Sequence, residues 1–328
     1  MKLWNILIIG LGSIGQRHVR ILRETVRSNI FALRQKTTRP LNLPGITEYF
    51  FRWADVPMPS IDFAIICNPT PLHIPTASIL VRNDIPFLME KPVCSSLDGA
   101  VPLLRLVQKK RLPVLIGFNW RYHHLYQKIK RIASSLELGK PLSFLTEMGQ
   151  HLPDWRSYDY TASSSARKKL GGGVIFDLTH EIDLAVDLME DVRLLSCIKR
   201  KVSDLKIDTE DIAEITLLHN NGGLSQIHLD YLQKAYSHKI KLIFEGGELF
   251  WDYSLGILKM TTKGRTRVYI QPQDYSRDDM FRAQLRHWLR VIRKKEKPVV
   301  SLEHGLYVSQ LAIAAHASSD RRKWITIS

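Results

Sequence analysis

Cysteine is scarce in this 328-residue chain: Cys67, Cys94 and Cys197 are the only three, and they lie far apart. None forms a C-x-x-C pair, and an odd number at wide spacing argues against a disulfide framework or a zinc ribbon. The expected state is reduced, soluble and cytoplasmic. No apolar run reaches the ~18 residues that a bilayer crossing needs, so no membrane partner is expected. Met1-Lys2-Leu3-Trp4 runs straight into a strand-like apolar stretch and leaves no room for a signal peptide. Internal repeats, low-complexity tracts and flexible linkers are lacking too. Acidic residues are in deficit, 32 Asp and Glu against 47 Lys and Arg, for a net charge of +15. That balance attracts anions, yet the basic residues are scattered. The densest run, Arg290-Val291-Ile292-Arg293-Lys294-Lys295, falls on a predicted helix with no nucleic-acid motif beside it. No nucleic-acid partner is expected, and a solvated basic surface is the simpler reading.

What is present begins at Ile6-Leu7-Ile8-Ile9-Gly10-Leu11-Gly12-Ser13-Ile14-Gly15. An apolar strand ends in G-x-G-x-x-G, and a helical pattern follows with Ile14, His18, Ile21, Leu22 and Thr25 on one face. This is the order of a dinucleotide site. Gly10 allows the tight turn, Gly12 lets the backbone approach a pyrophosphate, and Gly15 lets helix and strand pack closely, with the helix N–H groups aimed at the phosphates. Ser13 and Ile14 complete the loop. Glycine turns with a purely structural role are common, and the strand before and helix after are what favour the nucleotide reading.

Asn29 to Leu33 reads as the second strand, and the residue that ends such a strand meets the adenosine ribose. An acid there selects NAD. This chain has Arg34, with Lys36 and Arg39 behind it, and a guanidinium suits a 2′-phosphate. The expected cofactor is NADP in preference to NAD; the bland alternative is that Arg34 is merely exposed. Ile61 to Cys67 reads as a buried strand that stops at Asn68-Pro69-Thr70-Pro71-Leu72-His73, at the end of the sheet where α/β folds bind ligands. A helix over Ile74–Arg82, a strand over Pro86–Met89 ending in Glu90-Lys91-Pro92, a helix over Leu97–Lys110 and a strand over Leu112–Asn119 follow. Alternating strands and helices imply a doubly wound parallel sheet over residues 1–120.

Residues 121–328 follow another plan. A helix is expected over His124–Leu138 and a strand over Leu142–Gly149. Tyr158 to Lys169, with three consecutive serines, reads as a mobile loop. Gly171-Gly172-Gly173 leads into Val174 to Leu184. Alternating strands are then expected from Val192 to Ile270, with turns at Asn221-Gly222 and Gly246-Gly247. The second domain is therefore α+β with an open, largely antiparallel sheet. One of its faces should lie on helices, and the other is a candidate for a homodimer or homotetramer interface. The apolar stripe of Phe281, Leu285, Trp288, Leu289 and Ile292, a helix capped by Ser301, and a short strand at Trp324–Ile327 close the chain.

The glycine loop, the Asn68–His73 loop, Glu90-Lys91-Pro92, Gly171-Gly172-Gly173 with Asp177 and His180, and the tail Ser301–Leu306 together resemble the Gfo/Idh/MocA family of NAD(P)-dependent oxidoreductases. The resemblance runs over nearly the whole length. It implies hydride transfer on sugars, sugar nucleotides or cyclitols, usually by a dimer or tetramer. Lys91 would be the catalytic lysine, His180 the general acid/base, and Asp177 the residue that orients substrate or His180. Asn68, Thr70, His73, Glu90 and Lys91 would border the cofactor with the glycine loop, and Arg121 would meet the substrate. A cation and a proton donor suit the negative charge that builds on an oxygen during hydride transfer. Many members place the aspartate four residues before the histidine; here the gap is three, and both gaps keep the pair on one helical face. Against these roles stand a core histidine bonded to Asp177 or Asp183, and a metal site of Asp177, His180 and Asp183 that lacks a supporting His or Cys cluster.

The Gly12–His18 and Asp177–Glu181 stretches resemble bacterial members from surface-polysaccharide and sialic-acid-like sugar pathways. Arg121, Arg156, Arg167 and Lys168 near the predicted cleft would suit an anionic sugar. Rival classes are a non-catalytic sensor of NADP and sugar, and an enzyme that retains its cofactor for lyase or glycosidase chemistry.

Overall fold

A computed structural model describes residues 2–36, 43–155 and 159–327. Arg39 and Arg156, both considered for anion binding, lie outside the described residues. The chain forms two compact units, Met1–Asn119 with Ser276–Leu306, and Trp120–Tyr275 with Tyr307–Ser328.

In the first unit, β1 (Trp4–Ile9), α1 (Ser13–Thr25), β2 (Ser28–Leu33), β3 (Glu48–Phe50), β4 (Phe63–Ile66), α2 (His73–Arg82), β5 (Phe87–Met89), α3 (Ala100–Lys110) and β6 (Val114–Ile116) follow in order. The six strands make one sheet in the order β3-β2-β1-β4-β5-β6, and every pair is parallel. This is the doubly wound dinucleotide-binding arrangement, whose switch point falls between β1 and β4. The strands read as continuous apolar runs because helices cover both faces; all four residues of β4 are buried. The three-residue β3 was not expected from the sequence.

The second unit contains α4 (His124–Ser135), β7 (Pro141–Gly149), α5 (Val174–Asp177), α6 (His180–Met189), β8 (Val192–Arg200), β9 (Ile212–His219), β10 (Leu224–Asp230), β11 (Ser237–Phe244), β12 (Gly247–Asp252), β13 (Ile257–Thr262) and β14 (Arg265–Ile270). Alternating burial along β9 and β11 places one face inward, and α6 packs across β7 and β10. Tyr158 lies outside the described residues, and over residues 159–169 the expected loop is built instead of short 3-10 turns. Ser163 and Ser165 are buried there, and Ser163 Oγ donates to the Tyr160 carbonyl at 2.6 Å. Local side-chain to backbone bonds of this kind explain why a serine-rich stretch turns inward.

Three elements close the chain: α7 (Arg277–Ile292), α8 (Leu302–Arg321) and β15 (Ile325–Thr326). β15 pairs antiparallel with β8, which completes a nine-stranded sheet in the order β14-β13-β12-β11-β7-β10-β9-β8-β15. Among the described residues, β7 and β10 are the one parallel pair of this sheet. The sheet is therefore mixed and mostly antiparallel, as the fold class required.

A single boundary after residue 120 does not describe the chain, because Ser276–Leu306 returns to the first unit. The reason is the α7 stripe. Phe281, Leu285, Trp288 and Leu289 join the core of Trp4, Ile6 and Phe63, and Trp288 meets the Phe63 ring edge-on at 5.9 Å. Asp278 of α7 reaches Arg17 and Arg20 of α1, and Arg282 reaches Glu24 at 2.7 Å.

Candidate functional site

The glycine loop follows β1 directly. Gly10 has φ +93°, and a Cβ there would lie 2.7 Å from Asn68 N and Cys67 O; at Gly15 it would lie 2.1 Å from Gly10 O. These two glycines bring β1, β4 and α1 together. Gly12 differs, since a Cβ added there would meet nothing within 4 Å. It precedes the first turn of α1, which has no side-chain cap and no acidic residue. The N–H groups of that turn, Ser13 and Ile14 among them, are thus left to an anion. An open cradle over a helix N-terminus at the switch point fits the pyrophosphate of a dinucleotide.

Arg34 directly follows β2, its N–H bonded to the Phe50 carbonyl at 3.0 Å and its Nε to the Gln35 carbonyl at 3.3 Å. Past β4, Asn68 Nδ2 donates to Thr76 Oγ1 at 2.8 Å, while Asn68 Oδ1 is buried with no hydrogen-bond partner among the described residues. An orphaned buried acceptor beside Gly10 is a second sign that this loop is built for a ligand. Thr70 starts a 3-10 turn, Thr70–Leu72.

Two residues expected at the cofactor have other work. His73 is 2% exposed, and its ring nitrogens sit 2.8 Å from the carbonyl oxygens of Asn68 and Pro92. It straps the Asn68 loop to the Lys91-Pro92 segment, whose peptide is cis. Burial holds its pKa below the ordinary imidazole value, with the two carbonyls pulling the other way. Glu90 is buried, and its Oε1 lies 2.7 Å from His18 Nε2 on α1. Both therefore brace the loops that follow β1, β4 and β5. Lys91, half-buried, lies two residues past the end of β5.

In the second unit, Gly171 (φ +77°) and Gly173 (φ +112°) turn the chain into α5. Asp177 is the last residue of α5 and His180 the first of α6. Leu178 and Thr179 interrupt the expected continuous helix while keeping Thr179 in the helical region, at φ −56° and ψ −13°. Tyr231 Oη donates to Asp177 Oδ2 at 2.7 Å. His180 is buried. Glu210 accepts the Ile175 N–H at 3.2 Å beside Gly173. Burial pushes its pKa up to about 7, and the charge of Asp177 adds to this.

Arg121, expected at the substrate, is instead a core residue, 8% exposed. Its Nε and Nη2 each lie 2.7 Å from a carboxylate oxygen of Asp183, and Nη1 contacts Asp187. Asp187 also takes Lys130 at 2.9 Å and the Tyr126 hydroxyl at 2.5 Å. Such a planar fork is spent on anchoring α6. With Asp183 held by Arg121, the ligand set Asp177, His180 and Asp183 is not assembled. Arg167 is exposed and donates to the Thr161 carbonyl at 2.9 Å. Glu181, next to His180, turns inward to His238 at 3.0 Å and Thr146 at 2.5 Å. Glu181 and Asp183 of α6 are thus both held by partners within the second unit. Sequence reasoning missed Tyr231 and Glu210; nothing in local spacing links residue 231 to residue 177.

A parallel sheet with a glycine cradle at its switch point, followed by an α+β unit, is the architecture of a two-unit dinucleotide-dependent oxidoreductase. Residues 4–118 match the profile of an oxidoreductase family with an NAD-binding Rossmann fold, and residues 126–250 match the C-terminal domain of that same family. The chain belongs to the Gfo/Idh/MocA family. Myo-inositol 2-dehydrogenase of Thermotoga maritima is 22% identical over 338 residues, 98% of this chain and 97% of that protein. The oxidoreductase YrbE of Bacillus subtilis is 27% identical over 230 residues, a match that spans 67% of this chain and 65% of YrbE. Levoglucosan dehydrogenase in complex with NADH and levoglucosan superposes with a TM-score of 0.86 at 15% identity, over 99% of this chain and all of that one. That likeness concerns the fold.

Proposed function

We propose that this protein transfers a hydride between a nicotinamide dinucleotide and the CH–OH carbon of a sugar or cyclitol. The observation that carries this reading is the open Gly12 cradle at the N-terminus of α1, in a chain of a dehydrogenase-rich family. The names of the inositol and levoglucosan dehydrogenases support the substrate class. When bound, the nicotinamide ring supplies or accepts the hydride. The Lys91 ammonium stabilises negative charge on the reacting oxygen, and the His180 imidazole gives or takes that oxygen's proton. Asp177 orients its partner. Arg34 favours NADP through its 2′-phosphate.

On the resemblance of residues 12–18 and 177–181, we place the substrate among bacterial surface sugars. The anionic refinement loses much of its support, because Arg121 is occupied inside the unit. Large apolar side chains exposed on one face of the second sheet, Ile198 and Leu224, support assembly into a homodimer or homotetramer through that sheet.

The test is a panel of cyclitols, aldoses and nucleotide sugars offered with NAD+ and NADP+, read by nicotinamide absorbance. Turnover on a polyol that drops at least 100-fold in Lys91→Met and in His180→Ala is expected. Tight dinucleotide binding with no turnover on any member favours a sensor. Turnover of a glycoside without net change in the cofactor favours redox-assisted lyase or glycosidase chemistry.

A further inference from the structure

Tyr231 and Asp177 lie 54 positions apart in the chain, and only the fold brings them together. The tyrosine side chain is fully buried. Its oxygen donates to Asp177 Oδ2 at 2.7 Å, in the range of charge-assisted O–H···O bonds. The backbone that carries it is held on both sides: Tyr231 N–H bonds to the Asp211 carbonyl at 2.8 Å, and the Tyr231 carbonyl accepts from Leu152 N–H at 3.0 Å. Asp230 just before it takes the N–H groups of Leu232 and Gln233 at 2.6 and 2.8 Å. The ring meets Trp155 edge-on, with centroids 5.3 Å apart and planes at 90°. These contacts fix the position of the phenol independently of Asp177.

We propose that Tyr231 is a positioning residue for the reaction, fixing the rotation of the Asp177 carboxylate through one of its oxygens. This rests on the reading that Asp177 serves the active site. The terminal torsion of an aspartate is broad and two-fold, and a hydrogen bond to one of its oxygens narrows the orientations that it samples. Burial raises the phenol pKa well above its ordinary value, and the charge of Asp177 reinforces this. Tyr231 therefore stays a donor across the working pH range.

Tyr231→Phe tests this, since it keeps the ring against Trp155 and removes the hydroxyl that donates to Asp177 and accepts from the Gly173 backbone. With the oxidised dinucleotide and the polyol found in the panel, kcat is expected to fall about 10- to 100-fold with the dinucleotide KM unchanged. The substrate KM is expected to stay near its wild-type value, so that the loss falls on kcat. A merely structural tyrosine would lower the melting temperature and leave kcat of the folded enzyme in place. In an Asp177→Asn background the same change should have no further effect on kcat, and this cycle remains readable if Tyr231→Phe is somewhat destabilised. Wild-type kcat in Tyr231→Phe, alongside an impaired Asp177→Asn, overturns the proposal and leaves the site reading intact. Wild-type turnover in Asp177→Asn overturns both.

Discussion

Glu90 Oε1 lies 2.7 Å from His18 Nε2, with both side chains buried. This contact ties α1, the helix that starts in the glycine loop, to the residue next to Lys91. Glu90→Ala leaves a buried imidazole without its partner, and a loss of about 1–3 kcal/mol is expected. Dinucleotide affinity should weaken with it, since the loop and the lysine lose their common anchor. Urea unfolding and a dinucleotide titration on the same variant check both effects. Unchanged affinity in a destabilised variant would confine the pair to stability.

The glycines of the loop should separate cleanly. Gly15→Ala puts a Cβ 2.1 Å from Gly10 O, whereas Gly12→Ala meets nothing. Gly12 has φ −65° and ψ −174°, a conformation open to alanine. Gly15→Ala should therefore lower stability by more than about 1 kcal/mol. Gly12→Ala should melt like wild type yet bind NAD(P)H at least 10-fold more weakly, because its methyl occupies the approach of the pyrophosphate.

Arg121 and Asp183 form a buried bidentate pair. Removing one partner of such a pair costs about 3–5 kcal/mol, so Arg121→Ala should be among the most destabilising single changes, visible in chemical unfolding. It also carries a pH signature. Burial pushes the Asp187 pKa up, but Arg121, Lys130 and the hydrogen bonds around it outweigh burial and hold it below the usual value. A depressed carboxylate contributes stability that is present above the unfolded pKa of ~3.9 and lost as pH falls through the folded one. Arg121→Ala should flatten that part of the acid-stability curve.

Glu210 should behave in the opposite sense. Its pKa is raised to about 7, by burial first. Between the unfolded value of ~4.3 and about 7 the folded chain holds the extra proton, so stability contributed here falls as pH rises through that window. Glu210→Gln keeps an acceptor for the Ile175 N–H and removes the buried charge. It should gain stability relative to wild type above pH 7, on the order of 3 kcal/mol, and show little gain at pH 5. Equal gains at both pH values would contradict the assignment.

Much of the first unit is legible locally. A strand, a glycine loop and a helix are contiguous, and so are the Asn68 and Lys91 loops at strand ends, because a parallel sheet places its ligand-facing groups at the same point of every strand. What escaped was non-local. The α7 stripe says that Phe281 and Trp288 are buried, but not that they pack on Trp4 and Phe63. The charge of Arg121 was visible and its two carboxylate partners were not, so a core ion pair was read as a substrate contact. Ser163 and Ser165 read as loop because a composition rule does not count the backbone bonds that bury them. Asp177 and His180 stand out through the resemblance of their stretch to a known family, whereas Tyr231, joined to Asp177 only through space, carries no such marker.

The most direct test of the account is a titration of the purified protein with NADPH and with NADH, repeated on Arg34→Ala. Binding of both with NADPH tighter, and a loss of that preference in Arg34→Ala without loss of NADH binding, is the predicted result. Equal or NADH-favoured binding would reassign Arg34 to the surface and leave the nucleotide site standing. Failure of the folded wild-type protein to bind either dinucleotide would contradict the central claim that the Gly12 cradle is a nicotinamide dinucleotide site.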